Sequence, residues 1–164
     1  MQDVLALCAG MPLLQLPAGA SLLAEGVRTG RLYVLRSGAF EIVRNGVRVV
    51  TISEPGAFLG EISALLHAAP TADVVATEPS TVHVLEDADA AVRRNPELTY
   101  AMAQLLARRL VAVTAYLVDI KRQYADSDTH LGLMDQVLGQ LMAMHPGAPA
   151  PLPAGSERSD VPDY

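Results

Sequence analysis

Residues 55–76 contain the side chains of this sequence that are best suited to binding chemistry. Gly60 and Glu61 stand directly before a short apolar run, residues 62–66, that has the length of a small helix. A glycine that opens a short helix leaves backbone N–H groups free at the positive end of the helix dipole, where they suit an anion. The same dipole favours a carboxylate in the first turn. The pattern therefore predicts an anion-binding turn with Glu61 beside it.

Residue types that could support catalysis are scattered along the chain. The sequence has four histidines and one cysteine: His67, His83, His130, His145 and Cys8. Their spacing matches neither a metal site nor a nucleophile motif. Glu61 with His67 could do acid–base work, but a carboxylate at a helix start near a loop histidine is commoner. We expect His83 to lie in a strand as a surface or half-buried residue, and we expect no enzyme activity, catalytic residue, metal or cofactor.

Composition limits the partners and the compartment. The chain has 164 residues, a formal net charge of −6 and a pI of about 5.1. An acidic balance disfavours nucleic acid, because phosphate contacts need a surplus of Lys and Arg. The single Cys8 suggests the reducing cytoplasm, and no unbroken apolar run approaches the ~18 residues of a membrane span. We therefore expect a cytoplasmic chain without direct DNA binding or membrane insertion.

Residues 11–86 show the pattern of an antiparallel sandwich. Short apolar runs are separated by turn residues, and Asn45-Gly46 between two such runs is a strong signal for a two-residue hairpin. The predicted strands cover residues 13–16, 21–23, 31–35, 39–43, 47–52, 72–77 and 81–85, with the short helix between the fifth and the sixth. Several strands at this spacing predict a β jelly-roll.

Helices are predicted on both sides of the sandwich. Residues 1–10 form a short one that Gly10 ends, and residues 87–124 form two, the second capped by Asn95 with Pro96 at its first position. An early apolar face comprises Leu98, Met102, Leu105 and Leu106. A later heptad seam comprises Leu110, Val113, Leu117, Ile120 and Tyr124. The long helix either packs on its own sandwich or pairs along this seam with a second copy, and we favour pairing.

The last part of the sequence is predicted to hold one more helix. Residues 127–145 have amphipathic spacing, with Leu131, Met134, Leu138 and Leu141 on one side. Residues 146–164 are rich in Pro, Ala and Gly, lack periodicity and are predicted to be disordered.

Two stretches of the chain resemble a known family. Residues 58–66 (FLGEISALL) and 71–76 (TADVVA) resemble the phosphate-binding cassette of cyclic nucleotide-binding domains, which here covers residues 56–76. These are the sensor domains of Crp/Fnr-type regulators, cyclic-nucleotide-dependent kinases and gated channels. The resemblance extends over roughly residues 10–124. It implies an α+β fold, a jelly-roll or double-stranded β-helix, flanked by helices and followed by a long dimerisation helix.

The resemblance also implies roles for individual residues. The implied ligand-binding set is Leu59, Gly60, Glu61, Ile62, Ser63, Pro70, Thr71 and Ala72. Glu61 would accept a hydrogen bond from the ribose 2′-hydroxyl. Gly60 and the N–H groups of Glu61 and Ile62 would face the cyclic phosphate, and Ser63 would add its hydroxyl or bond its own helix. Thr71 and Ala72 would approach the phosphate and the purine.

The sequence departs from the family pattern at Pro70. The family has an arginine there that grips the cyclic phosphate, whereas proline supplies neither a charge nor an N–H. Losing a charge-assisted hydrogen bond costs about 1.5–3 kcal/mol, or roughly one to two decades of affinity. Another cation could replace it; the candidates are Arg31, Arg36, Arg44 and Arg48. A second departure is that the helix-turn-helix module of Crp/Fnr regulators has no counterpart after residue 124.

Three hypotheses for the function remain open. The first is a stand-alone cyclic-nucleotide sensor, for cAMP or cGMP, with weakened or altered ligand choice. The second is a sensor for another nucleoside-like or apolar ligand. The third is a pseudo-sensor, a dimerisation or interaction scaffold without a nucleotide. In each case we expect a homodimer paired through Leu110, Val113, Leu117 and Ile120, acting on a protein partner.

Overall fold

The computed structural model describes residues 4–123, together with Val137 and Gly139. Its elements are α1 (Val4–Leu7), β1 (Leu13–Leu16), β2 (Ser21–Leu23), β3 (Leu32–Ser37), β4 (Phe40–Arg44), β5 (Val47–Ile52), β6 (Phe58–Leu59), α2 (Glu61–Leu66), β7 (Asp73–Ala76), β8 (Ser80–Leu85), α3 (Ala88–Arg94) and α4 (Pro96–Gln123). The chain divides into two compact units, Met1–Arg109 and Leu110–Tyr164.

Two four-stranded antiparallel sheets form the sandwich of the first unit. Their strand orders are β1-β8-β3-β6 and β2-β7-β4-β5. The main core lies between them, because both sheets contribute to one buried cluster that includes Leu35 and Val82 from the first sheet and Phe40 and Val74 from the second. The expected fold class, an α+β jelly-roll flanked by helices, is confirmed.

The β4–β5 hairpin turns at the predicted Asn-Gly pair. Asn45 has φ 50° and Gly46 has φ 74°, the left-handed values that a two-residue hairpin of this type needs. Arg44 pairs with Val47 across the turn. Strand β6 was not predicted, because a strand of two residues is too short to show alternation.

The helices of the first unit pack on the outside of the sandwich. A second buried cluster joins Cys8, Val34 and Leu85 to Leu98 and Met102 of α4. Local caps fix where the helices begin: Asp87 accepts a hydrogen bond from the Ala90 N–H at 3.0 Å, and Asn95 accepts one from the Leu98 N–H at 3.0 Å. The first part of α4 therefore packs on its own sandwich through the predicted early face.

The second unit begins at Leu110, inside α4, and the structure describes this helix as far as Gln123. Leu110 and Val113 are 48% and 50% exposed, while Leu117 and Ile120 are half-buried. Pairing along this seam stays a prediction. Tyr124 and the predicted segments 127–145 and 146–164 lie outside the described residues, apart from Val137 and Gly139, which are helical.

One helix of the described part, Pro96–Arg122, meets a criterion of length and composition for crossing a membrane, with a mean hydropathy of 1.3. The expectation from sequence considered only unbroken apolar runs, whereas this stretch includes the pair Arg108 and Arg109. Core helices of soluble proteins meet the same criterion, so the evidence for a membrane span is weak.

Candidate functional site

Gly60 forms the junction between β6 and α2. Its φ is 88°, a left-handed value that disfavours any residue with a Cβ. A Cβ there would also approach Leu23 Cδ1 to 3.2 Å and the Arg31 carbonyl oxygen to 3.4 Å. Gly60 caps α2 without a side-chain hydrogen bond. The first turn of α2 therefore begins with backbone N–H groups and the carboxylate of Glu61, as the sequence pattern predicts.

The loop between β2 and β3 holds the end of the cassette. The Gly26 N–H donates to the Pro70 carbonyl oxygen at 2.8 Å, and the Glu25 N–H donates to Asp73 Oδ1 at 2.7 Å. The position of Pro70 is thus fixed by its backbone, and its ring is buried.

Glu61 is the most buried charged group of the cassette. It is 5% exposed, and Arg109 of α4 donates from Nη1 to its Oε1. An unpaired buried carboxylate would be costly, and the guanidinium supplies the compensating charge. Both residues belong to the first unit. The ion pair connects the start of α2 to the long helix.

Arg109 was missed by the sequence reasoning. Our four candidates for the missing cation all come from the strands and loops before the cassette. Arg31 Nε donates instead to Glu86 Oε2 at 2.6 Å, which is the main reason that its pKa is raised. Arg48 Nε lies 2.8 Å from Glu41 Oε2. The sequence did contain a signal for Arg109. Arg108 and Arg109 are the only charged residues between Glu97 and Asp119, so they stand out in an otherwise uncharged part of the helix.

The eight predicted ligand residues lie in different environments. Leu59, Glu61 and Pro70 are buried; Gly60, Ser63 and Ala72 are half-buried; Ile62 and Thr71 are exposed. The side chain of Leu59 belongs to the core between the sheets, so the structure directs it away from solvent. The ligand roles of all eight remain predictions.

Two cavities lie close to the cassette. The larger, about 330 Å³, is lined on one side by α4 and on the other by β5 and the loop after it; its wall includes Thr51, Phe58, Gln104, Arg108 and Arg109. The smaller, about 140 Å³, lies beside α2, and Arg28, Arg31, Ser63, His67 and Pro70 contribute to it. Arg109 is therefore both the partner of Glu61 and part of the wall of the larger cavity.

His83 lies in a strand as expected, but it is buried, so the prediction of a surface or half-buried residue is wrong. The residue is 6% exposed, and its Nδ1 has no hydrogen-bond partner among the described residues. Side chains alternate along β8: Val82 and Val84 belong to the core between the sheets, so His83 lies on the opposite face with Leu85, which packs with residues of α4. Within the part of the chain that the structure describes, no three His, Cys, Asp or Glu side chains are placed to hold a metal ion.

The strand order, the glycine-led α2 and the buried Glu61 agree with a match to a known family. Residues 13–91 match the cyclic nucleotide-binding domain family. The chain contains a cyclic nucleotide-binding domain. The resemblance expected from the cassette is thereby confirmed.

Relatives of this domain occur in proteins of different kinds. The chain is 33% identical over 100 residues to the cyclic AMP receptor protein of Thermus thermophilus, covering 57% of this chain and 46% of that protein. It is 31% identical over 114 residues to the Pycsar effector protein XpPycTIR of Xanthomonas perforans, covering 68% of this chain and 37% of the effector. The crystal structure of the Thermus thermophilus catabolite activator protein superposes with a TM-score of 0.60 at 27% identity, covering 74% of this chain and 60% of that one.

The matched region is only a part of each curated relative. The chain spans less than half the length of the receptor protein and of the effector. The likeness therefore concerns the sensor or regulatory domain, and the activities of the whole relatives are a separate question.

Proposed function

We propose that this domain is a regulatory module that binds a cyclic nucleotide weakly, or a related nucleoside, at the cassette and acts through a protein partner. The observation that carries the proposal is the buried Glu61 carboxylate, held by Arg109 at the start of α2. A buried acceptor of this kind suits the hydroxyl groups of a ribose.

The carboxylate of Glu61 can serve Arg109 and a ligand together. A carboxylate has acceptor positions on both oxygens, and the ion pair with Arg109 uses Oε1. We assign Oε2 to the ribose 2′-hydroxyl. The N–H groups that follow Gly60 would then face the 3′,5′-phosphate, or the free hydroxyls of a nucleoside.

Arg109 supports the proposal of altered ligand choice. It is the cation paired with Glu61, whereas residue 70 is an uncharged proline. Because Glu61 already neutralises Arg109, a phosphate would gain less from it than from an arginine without an anionic partner. A site without net charge should therefore bind a cyclic nucleotide with only slightly higher affinity than a nucleoside.

The alternative is a pseudo-sensor that serves as an interaction scaffold. The specific observation in its favour is that Pro70 is buried and its carbonyl oxygen is bonded to the Gly26 N–H. In that case Pro70, at the position where the family binds phosphate, stabilises the fold and does not bind a ligand.

The partner assignments belong to the same proposal. We infer a homodimer paired along Leu110, Val113, Leu117 and Ile120, located in the cytoplasm. The net charge of −6 supports a protein target rather than direct contact with DNA. The cyclic AMP receptor protein among the relatives is more than twice as long as the region it shares with this chain.

Calorimetric titration with cAMP, cGMP, adenosine and 2′-deoxyadenosine tests the proposal. We expect adenosine and cAMP to bind with dissociation constants within about tenfold of each other, since the cation that would separate them is missing. 2′-Deoxyadenosine should bind more weakly than adenosine, because it lacks the hydroxyl that Glu61 accepts.

Glu61→Gln in the same titrations is the informative variant, and Glu54→Gln is its control. Glu54 is an exposed carboxylate that lines the larger cavity, so its change should leave the preference for the 2′-hydroxyl intact, whereas Glu61→Gln should reduce it, because the amide keeps only one acceptor oxygen and loses the charge. A folded protein that releases no binding heat with any of the four ligands would reject the proposal and leave the scaffold or a sensor for a different ligand.

A further inference from the structure

The second half of α4 is apolar on two sides. No charged residue occurs between Arg109 and Asp119. The seam residues form one of these apolar sides. The opposite side, here called the back face, comprises Val111, Ala115 and Val118; Val111 is 69% exposed, Ala115 is exposed and Val118 is half-buried.

A dimer along the seam would leave the back face in water. Two-stranded pairing buries the seam positions, and the outward positions of such helices are normally polar. A helix that is apolar all round is usually buried by more than one neighbour. The back face therefore requires an additional partner beyond a second α4.

The sequence that follows α4 has the features of such a partner. Residues 131–142 place Leu131, Met134, Leu138 and Leu141 on one side, and Gln136 and Gln140 on the other. Val137 and Gly139, the two described residues of this segment, are helical. Residues 124–130 separate it from α4, and this length is within the usual range of roughly 2–8 residues for connections between packed helices.

The back face and residues 131–142 belong to the same compact unit, Leu110–Tyr164. We propose that residues 131–142 fold back antiparallel to α4 and cover Val111, Ala115 and Val118 of the same chain, forming a helical hairpin. The hairpin depends on neither a ligand nor a dimer. If the proposed seam dimer also forms, two hairpins would make a four-helix bundle.

Engineered cysteine pairs test the hairpin in the full chain. Ala115→Cys is combined in turn with Met134→Cys, Leu138→Cys and Leu141→Cys, and for matched controls with Gln136→Cys and Gln140→Cys. A disulfide requires Cα atoms within about 4.4–6.8 Å, so it reports which side of the segment faces α4. The natural Cys8 is fully buried and stays in every variant. The unmodified chain, which contains only Cys8, is the negative control for disulfide formation.

Under mild oxidation, we expect at least one of the three apolar-side pairs to form a disulfide within one chain, so that the product has the mass of a monomer. This disulfide should form at least about fivefold faster than in either control pair. The same disulfide should still form when Val113→Asp and Leu117→Asp are added to disrupt the seam. That result would show that the hairpin does not depend on the proposed dimer. Disulfides mainly of dimer mass would place the segment of a second copy on the back face. That result, equal rates in the controls, or no bond in any of the three pairs of a folded protein would overturn the proposal.

Discussion

At the scale of single residues, the ion pair between Glu61 and Arg109 is the contact on which the proposed ligand binding rests. The carboxylate is buried, while the guanidinium is partly exposed at the wall of the larger cavity. Removing one partner of a buried pair leaves the other charge uncompensated, whereas removing both costs less. The pair is therefore a structural contact of the cassette and a candidate ligand contact together.

Arg109→Met should lower the free energy of unfolding by about 3 kcal/mol, the low end for an uncompensated buried charge, because part of Arg109 is in water. Glu61→Gln combined with Arg109→Met should recover more than half of this loss. Arg108→Met, a change at the exposed neighbour, should cost less than about 1 kcal/mol. Urea unfolding of the wild type, the single variants Glu61→Gln and Arg109→Met, and the double variant measures the coupling, with Arg108→Met as the control. Losses that simply add would show that the two side chains are not coupled.

Cys8 gives a second prediction, on pH. Burial raises the pKa of its thiol, so the folded state holds this proton more tightly than the unfolded chain does. Between the unfolded pKa of about 8.5 and the higher folded value, stability must fall as pH rises. Unfolding free energies measured from pH 7.5 to 9.5 should decrease in the wild type, and Cys8→Ala should remove that part of the slope. Identical slopes in the two proteins would contradict the prediction.

At the scale of elements, turns and caps were accessible from the sequence because each depends on a few neighbouring residues. Asn45-Gly46 and Asn95 act where they were expected. The contact between Glu61 and Arg109 joins residues 48 positions apart in the chain. The burial of His83 depends on which elements cover the outer face of β8. Neither is encoded in a local pattern, since both follow from how the elements pack.

Gly38 shows how closely two elements of the sandwich approach. Its φ is 93°, and a Cβ there would lie 2.6 Å from Ser80 Cα. Ser80 Oγ also accepts the hydrogen bond from the Ala39 N–H at 3.1 Å. Substituting Gly38 therefore disturbs both the turn and the start of β8.

Gly38→Ala should destabilise the protein by about 3 kcal/mol, from left-handed strain of about 1 kcal/mol plus overpacking of about 2 kcal/mol. Gly46→Ala is the matched control, because Gly46 also has a positive φ, 74°, but has open space around it. It should cost only the strain of about 1 kcal/mol. Thermal unfolding compares the two variants, and equal losses would show that the approach to Ser80 is unimportant.

At the scale of the whole molecule, self-association is the main prediction. Val113→Asp with Leu117→Asp places two charges on the seam and should give a soluble monomer. Ala107→Asp, at an exposed position of the same helix away from the seam, should leave the dimer intact. Light scattering at tens of micromolar distinguishes these states. A wild-type chain that is monomeric at that concentration would refute pairing along the seam.

The family of the domain could be predicted from the sequence, but its ligand could not. The spacing of Gly60, Glu61 and the short helix was enough to predict the fold, because these residues determine the local backbone of the cassette. The proposed ligand choice depends on which charges meet at residues 61, 70 and 109, and the last of these reaches the cassette only through tertiary packing. Pro70 is consequently the residue on which the functional account depends.

Titration of Pro70→Arg with cAMP tests that account most directly. If the cassette positions a cyclic nucleotide and lacks only its cation, the new guanidinium should strengthen cAMP binding by at least about tenfold, the lower end for a charge-assisted hydrogen bond. Pro70→Ala controls for the loss of the proline from the turn, and adding Glu61→Ala should remove most of the gain. Binding of cAMP that stays undetectable in a well-folded Pro70→Arg protein would contradict the account.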